Sequence, residues 1–260
     1  MNILDKIVLH KKVEVQAAKE LYTIADLQKF ENFERETYSF KDFLLAPDRT
    51  GIIAEFKRKS PSKGIINDQV TVEEVTNGYA DAGASALSVL TDHSFFMGDK
   101  ADLVKARKAN TIPVLRKDFM IDEYQVFEAK ALGADIILLI AAILTPQEIQ
   151  LLSSTAKKLG LNVLLEVHNL EELQRSIIPN LDAIGVNNRN LADFTVSVET
   201  SYQLAEHIPT DFLKISESAI SDPETIKQLK KAGFNGFLIG ENFMKEKNPG
   251  GAMKEFVAKL

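Results

Sequence analysis

The stretch Gly51-Ile-Ile-Ala-Glu55-Phe-Lys57-Arg58-Lys59-Ser60-Pro-Ser-Lys63-Gly64 runs a short apolar segment into a glutamate, a lysine and a loop rich in serine, proline and glycine. Side chains alternate between the faces of a β-strand, so a strand over 51–57 projects Glu55 and Lys57 to one side at its carboxyl end. Taken alone, the charges of Lys57, Arg58, Lys59 and Lys63 read first as a solvated basic loop and second as a nucleic-acid patch. The rest of the chain decides between these readings.

From residue 51 onward, short apolar runs alternate with amphipathic segments at a period of roughly 25 to 30 residues, the signature of repeated β/α units. Strands are predicted near 51–57, 85–90, 112–116, 135–140, 162–167, 182–187, 212–216 and 236–240. Helices are predicted at 71–82, 99–109, 122–132, 145–159, 169–177, 198–206, 222–232 and 249–259. Gly83, Gly133 and Gly233 precede strands, where a left-handed helix cap suits glycine. Thr145-Pro146 and Ser221-Asp222-Pro223 supply helix starts. Eight parallel strands, each followed by a helix, close into a (β/α)8 TIM barrel. An open doubly wound sheet would carry a nucleotide-binding glycine turn, and none is present.

Ahead of the repeats, Ile3, Leu4, Ile7, Val8, Val15, Ala18 and Leu21 follow helical spacing, and Thr23 opens a second helical piece. Phe40, Phe43 and Leu44 are candidate anchors in the polar stretch before residue 51. The expectation is one (β/α)8 domain over 1–260, in which 1–45 is an N-terminal helical extension packed over the barrel mouth or rim.

The 260-residue length suits such a barrel. A net charge of -6 argues against general binding to nucleic acid or anionic membranes, which needs a broad positive field. Zero cysteines exclude thiolate catalysis and suit a cytoplasmic protein. The N-terminus lacks the apolar block of a secretory signal. The longest apolar run, 136–144, is far short of the roughly 20 residues that span a bilayer.

Barrel chemistry gathers at the carboxyl ends of the strands. Polar residues collect there: Glu55 and Lys57, then Lys117-Asp118, Glu166, Asn187 with Arg189, Ser216-Glu217-Ser218, and Gly240. Any one polar residue has a bland alternative as a strand-end charge, but repetition at five ends, apart from that of Gly240, points to a shared cavity. Lysines and glutamates gathered there shift one another's pKa and suit acid–base work on an anionic substrate. The turns after the last two strands are where phosphate docks in such barrels, on backbone N–H groups. The four histidines lack metal-ligand spacing. His168 reads as a strand-end ornament, and Phe95-Phe96 as a loop packing down or an aromatic wall.

Seven motifs, in order, resemble those of the indole-3-glycerol phosphate synthase family. They are Ile53-Ala-Glu-Phe-Lys-Arg-Lys-Ser-Pro-Ser62, Ser88-Val-Leu-Thr-Asp92 with Phe95-Phe96, Val114-Leu-Arg-Lys-Asp-Phe119, Leu165-Glu166, Ile184-Gly-Val-Asn-Asn-Arg189, Ser216-Glu-Ser218 and Leu238-Ile-Gly240. The resemblance implies closure of a carboxyphenylamino-deoxyribulose phosphate to indole-3-glycerol phosphate, with loss of CO2 and water and no metal or organic cofactor. It implies that Lys117 is the general acid at the ketone and Glu166 the general base in dehydration. Glu55 would place the lysine and the substrate amine, and Lys57 would bind substrate, with a second role as acid in dehydration left open.

By the same resemblance, Ser60, Asn187 and Arg189 hold the anthranilate carboxylate and its neighbours, Phe119 lines the ring pocket, and Glu217 and Ser218 shape its far side. Backbone N–H groups around Ala219, Gly240 and Glu241 take the phosphate. Ala219 stands where the family usually has glycine, and the Glu241 carboxylate is expected to point away from a phosphate. Arg58, Lys59 and Lys63 keep the solvated reading. The rivals are a phosphosugar isomerase such as phosphoribosylanthranilate isomerase, whose acid–base cysteine this chain lacks, and a non-catalytic phosphate-binding barrel.

Overall fold

The computed structural model describes residues 3–189 and 195–260. Three helical pieces come first: α1 (Ile3–Leu21), α2 (Ile24–Leu27) and α3 (Phe40–Leu45). There follow β1 (Ile52–Phe56), a small antiparallel flap of β2 (Lys59–Ser60) and β3 (Gly64–Ile65), α4 (Val72–Asp81), β4 (Ala86–Leu90), α5 (His93–Phe96) and α6 (Lys100–Ala109). Next are β5 (Val114–Lys117), α7 (Glu123–Leu132), β6 (Ile136–Ile140), α8 (Pro146–Lys158), β7 (Asn162–Val167) and α9 (Leu170–Ser176). The chain ends with β8 (Ala183–Asn187), α10 (Glu199–Ala205), β9 (Leu213–Glu217), α11 (Pro223–Lys231), β10 (Gly236–Ile239), α12 (Glu241–Met244) and α13 (Pro249–Val257).

The strands β1 and β4 to β10 pair in parallel as a closed barrel, sealed where Ile52 of β1 stands opposite Phe237 of β10. They are the strands that the alternating pattern predicts, and the main helices fall within two residues of their expected spans. The flap, α5 and α12 were not expected, because elements of two to four residues are too short to establish a period.

Strand alternation sorts the barrel into two cores. Ile52, Ala54, Phe56, Val114, Val163, Leu165, Ile184 and Phe237 face outward and pack with helix residues such as Val75, Leu103, Ile149 and Leu229. Ile53, Leu115, Leu138, Leu164, Ala183, Ile215 and Leu238 fill the interior. Continuing each inward row by two residues reaches Glu55, Lys117, Glu166 and Glu217, so the period that builds the core also delivers charge to its upper layer.

The helices between strands are set by local signals. Thr71, Asp99, Asp122, Thr145, Asn169 and Asp222 cap helix N-termini with side-chain oxygens, each such cap contributing about 1 kcal/mol. Gly133 closes α7 at φ 92°, a left-handed turn in which a Cβ would be strained.

The extension serves both ends of the barrel. At the mouth, Ile3, Leu4 and Ile7 of α1 line the central cavity, and His10 meets the Phe95 ring edge-on at 5.8 Å. Leu21 instead stands exposed. Beyond α2, Phe33 stacks on Phe127 of α7, and the chain crosses to the opposite end. There Phe40 and Leu44 join the interior core with Ile53, Leu213 and Ile215. The expectation of a cover over the mouth therefore describes α1 but not α3, which plugs the far end.

Candidate active site

Lys117 occupies the centre of the mouth. Its Nζ lies 2.9 Å from Glu166 Oε2 and 2.8 Å from Glu217 Oε2. Burial works against its charge, but the carboxylates of Glu166, Glu217 and Glu55 outweigh that and hold its pKa well above the usual lysine range. Burial likewise favours neutral Glu166, yet Lys117 and His168 keep it ionised far below the usual carboxylate range. Glu217 goes the other way. Burial, then the nearby Glu166 and Glu55 charges, push it up to about 7 despite Lys117. One lysine thus sits between an anion and a carboxyl that holds a proton near neutrality.

Around this pair the other residues fall into place. Glu55 accepts from Lys57 at 2.6 Å and from Ser88 at 3.3 Å. Asn187 donates to Glu166 Oε1 at 3.1 Å, while its own oxygen accepts from Ser218 Oγ and the Arg189 N–H. Phe119 faces Phe96 at 5.9 Å, so Phe96 supplies the aromatic wall and Phe95 packs down on α1. Ser60 bonds the Lys63 N–H and approaches Ser62, shaping the flap.

Every residue assigned to the site from the family motifs reaches this region. Glu55, Lys57, Ser60, Phe119 and Lys117 line one cavity with Glu166, Asn187, Arg189, Glu217, Ser218 and Glu241. A smaller adjoining cavity is lined by Ser218, Ala219, Gly240 and Glu241. Ser218 and Ala219 are both left-handed, at φ 68° and 62°, a conformation costly for any residue with a Cβ. Gly240 caps α12 without a side-chain bond, so the first N–H groups of that turn, at Glu241 and Asn242, have no capping side chain. The Glu241 carboxylate lies across the mouth, 3.7 Å from Lys63 and 3.9 Å from Arg189.

Two sequence readings change. Arg58 is no solvated charge: it forks onto Asp102 of α6, donates to the Met97 carbonyl and covers the Phe56 ring, tying the flap's base to the neighbouring loop. Ser216, gathered with the strand-end polar residues, faces outward and bonds Asn188 and Ser201 instead.

Sequence reasoning missed three contributors. Lys11 is fully buried, with its Nζ 2.9 Å from Asp118 and 3.0 Å from Asp92. It follows Ile7 and precedes Val15 by four residues, so the apolar stripe of α1 already contained it. Gly185 lies under Glu217, where an added Cβ would come within 2.1 Å of Oε1. Its place on an inward strand row was the available signal. His168 lies 3.3 Å from Glu166 and 3.1 Å from Glu172, and these carboxylates outweigh burial to raise it to about 10.

The family model described as indole-3-glycerol phosphate synthase matches residues 4–256. The chain belongs to the indole-3-glycerol phosphate synthase family. The indole-3-glycerol phosphate synthase of Bacteroides thetaiotaomicron is 49% identical over 256 residues, covering 98% of each chain. That of Laribacter hongkongensis is 43% identical over 261 residues, covering 99% of each. Among solved structures, a 3-hexulose-6-phosphate synthase superposes with a TM-score of 0.65 at 14% identity, over 81% of this chain and 100% of that one. A second, from Salmonella typhimurium, gives 0.62 at 13%, over 80% and 97%. At that identity these two share the barrel alone with this family member.

Proposed function

We infer that this family member is a carboxy-lyase of tryptophan biosynthesis. It converts 1-(2-carboxyphenylamino)-1-deoxyribulose 5-phosphate to indole-3-glycerol phosphate with release of CO2 and water. The observation that carries the residue assignment is Lys117 suspended between Glu166 and Glu217 at inward strand ends.

In this reading the aryl carbon bearing the carboxylate bonds to the ketone carbon, and Lys117 protonates the ketone oxygen as it gains charge. So firmly held an ammonium gives its proton to an oxygen only as that oxygen becomes anionic, which times the transfer to bond formation. Loss of CO2 restores the aromatic ring. The new hydroxyl then leaves as water while Glu166 takes the balancing proton, with Lys57 poised as the acid on that side. Glu55 orients Lys57, and Glu217, pushed up to about 7, weakens the second negative charge beside Lys117. Ser60, Asn187 and Arg189 hold the substrate carboxylate, Phe119 lines the ring pocket, Ser218 shapes its far side, and N–H groups at Ala219, Gly240 and Glu241 receive the phosphate.

We further assign the whole chain to one barrel domain, with 1–45 as its extension, and place it in the cytoplasm acting on this small phosphosugar rather than on nucleic acid or membrane. The absence of cysteine and the net charge of -6 support that placement. Among the described residues, no helix is long and apolar enough to cross a membrane.

Incubation with the substrate, followed by indole fluorescence, tests the activity. Lys117→Ala should lower turnover by about 10²- to 10⁴-fold while phosphate-analogue binding persists. Near-normal turnover in that variant would move the first acid to Lys57.

A further inference from the structure

The chemistry assigned to Glu166 leaves one neighbour unused. His168 continues the inward row of β7 two residues beyond Glu166 and lines the same cavity. Its Nδ1 lies 3.1 Å from Glu172 Oε2, and the same oxygen accepts the His168 backbone N–H at 2.8 Å. Glu172 belongs to the first turn of α9, whose Asn169 cap bonds both the Glu172 N–H and its other carboxylate oxygen. The ring is therefore held at one edge by a carboxylate that is itself fixed. At its other edge Nε2 lies 3.3 Å from Glu166 Oε1, a buried contact too oblique for a full hydrogen bond and so chiefly an ion pair.

We propose that His168 is a positioning residue for Glu166: an imidazolium clamped between Glu172 and Glu166, it is the second cation that keeps Glu166 ionised once Lys117 has given its proton to substrate. This rests on the assignment of Glu166 as base. The need follows from the geometry. Glu166 faces Lys117 from β5, His168 from the end of its own strand and the neutral Asn187 from β8, with Glu217 of β9 on the far side of Lys117. When Lys117 becomes a neutral amine, its support of the carboxylate ends. Without another cation, a buried carboxylate takes up a proton early and is no longer a base when dehydration needs one. His168 faces Glu166 and Glu172, two carboxylates that favour its charged form, which burial alone would oppose.

Interaction between two titrating groups is reciprocal, so it can be read from the histidine, whose titration falls in an accessible pH range. With 15N-histidine labelling, His168 should remain protonated on both nitrogens at pH 8. Glu166→Gln should lower its pKa by about one unit or more, and Glu172→Gln should lower it separately. A neutral His168 at pH 8, or a pKa indifferent to Glu166→Gln, overturns the proposal.

In turnover, His168→Asn should reduce kcat by about 10-fold or more with KM changed less than about threefold, and should move the acid limb of kcat upward in pH. An unmoved limb, or a loss in KM alone, contradicts it. Should His168→Asn fail to fold, the labelled wild type and Glu172→Gln still decide. Undiminished turnover by Glu166→Gln would instead remove the assignment of Glu166 as base, a failure separate from loss of the His168 coupling.

Discussion

The two ends of the barrel both bury carboxylates beside cations, and they do so to opposite effect. At the end away from the mouth, Asp135 has each oxygen bonded twice: Oδ1 by Arg35 at 2.7 Å and the Tyr38 N–H at 2.8 Å, Oδ2 by Arg107 at 2.7 Å and the Val114 N–H at 2.9 Å. At the mouth, Glu217 receives Lys117 on Oε2, while Oε1 is buried with no hydrogen-bond partner among the described residues. Saturation makes Asp135 a fastening that stitches the returning extension to β5 and β6. Incomplete pairing leaves the mouth with displaced pKa values and lone pairs that a ligand can complete.

Apart from the loss of Lys117 itself, the sharpest break should come at the saturated end. Asp135→Ala strands two guanidinium groups in a mostly buried site and should cost about 3–5 kcal/mol, lowering Tm by about 6–20 °C. Turnover per folded molecule at 25 °C should stay within about twofold. An unchanged Tm in a calorimetric scan would mean that Asp135 fastens nothing.

Gly185→Ala probes the mouth from beneath. The methyl group would displace the Glu217 carboxyl, and misplacement by about 1 Å should reduce kcat/KM by about 10²-fold. Full activity would show that the carboxyl has another place to go.

A smaller effect concerns pH. Because Glu217 is raised to about 7 in the folded chain, above its ordinary value near 4.5, the stability it contributes is complete below about 4.5 and is lost as pH rises through about 7. Between pH 5 and 7 the wild type should therefore lose about 1–3 kcal/mol relative to Glu217→Gln, read from urea unfolding. His168 does not interfere: its contribution, raised from 6.5 to about 10, begins to fall only above about pH 6.5, and it does so in both proteins, so it cancels in the difference. Parallel stability curves would refute an elevated Glu217.

The least effect is expected at Ala219. Glycine there relieves a left-handed Cβ but loosens the unfolded chain, for a net gain of about 0.5–1 kcal/mol. A Tm that falls would show that the turn makes use of the methyl group.

The same contrast separates what could be read in advance from what could not. Glu55, Lys117, Glu166 and Glu217 were legible because strand period and strand-end position are both local properties of the chain. Lys11 and Arg58 were not: a lysine on an apolar stripe and an arginine in a basic loop have the same spacing whether they snorkel to water or meet Asp118 and Asp102. Gly185 and His168 were visible as letters in motifs, yet their effects arise from Glu217 pressing across from β9 and Glu172 reaching back from α9.

By itself, the sequence determined the repeating β/α order, the inward parity of the site residues and the motifs of the family, since each depends on residues a few positions apart. Only the tertiary structure decided that the extension splits between the two barrel ends, and that Lys117 is shared by Glu166, held ionised, and Glu217, pushed up to about 7. Those outcomes depend on distances between groups far apart in the chain, because burial and opposing charges, acting over a few ångströms, set whether a carboxyl keeps its proton.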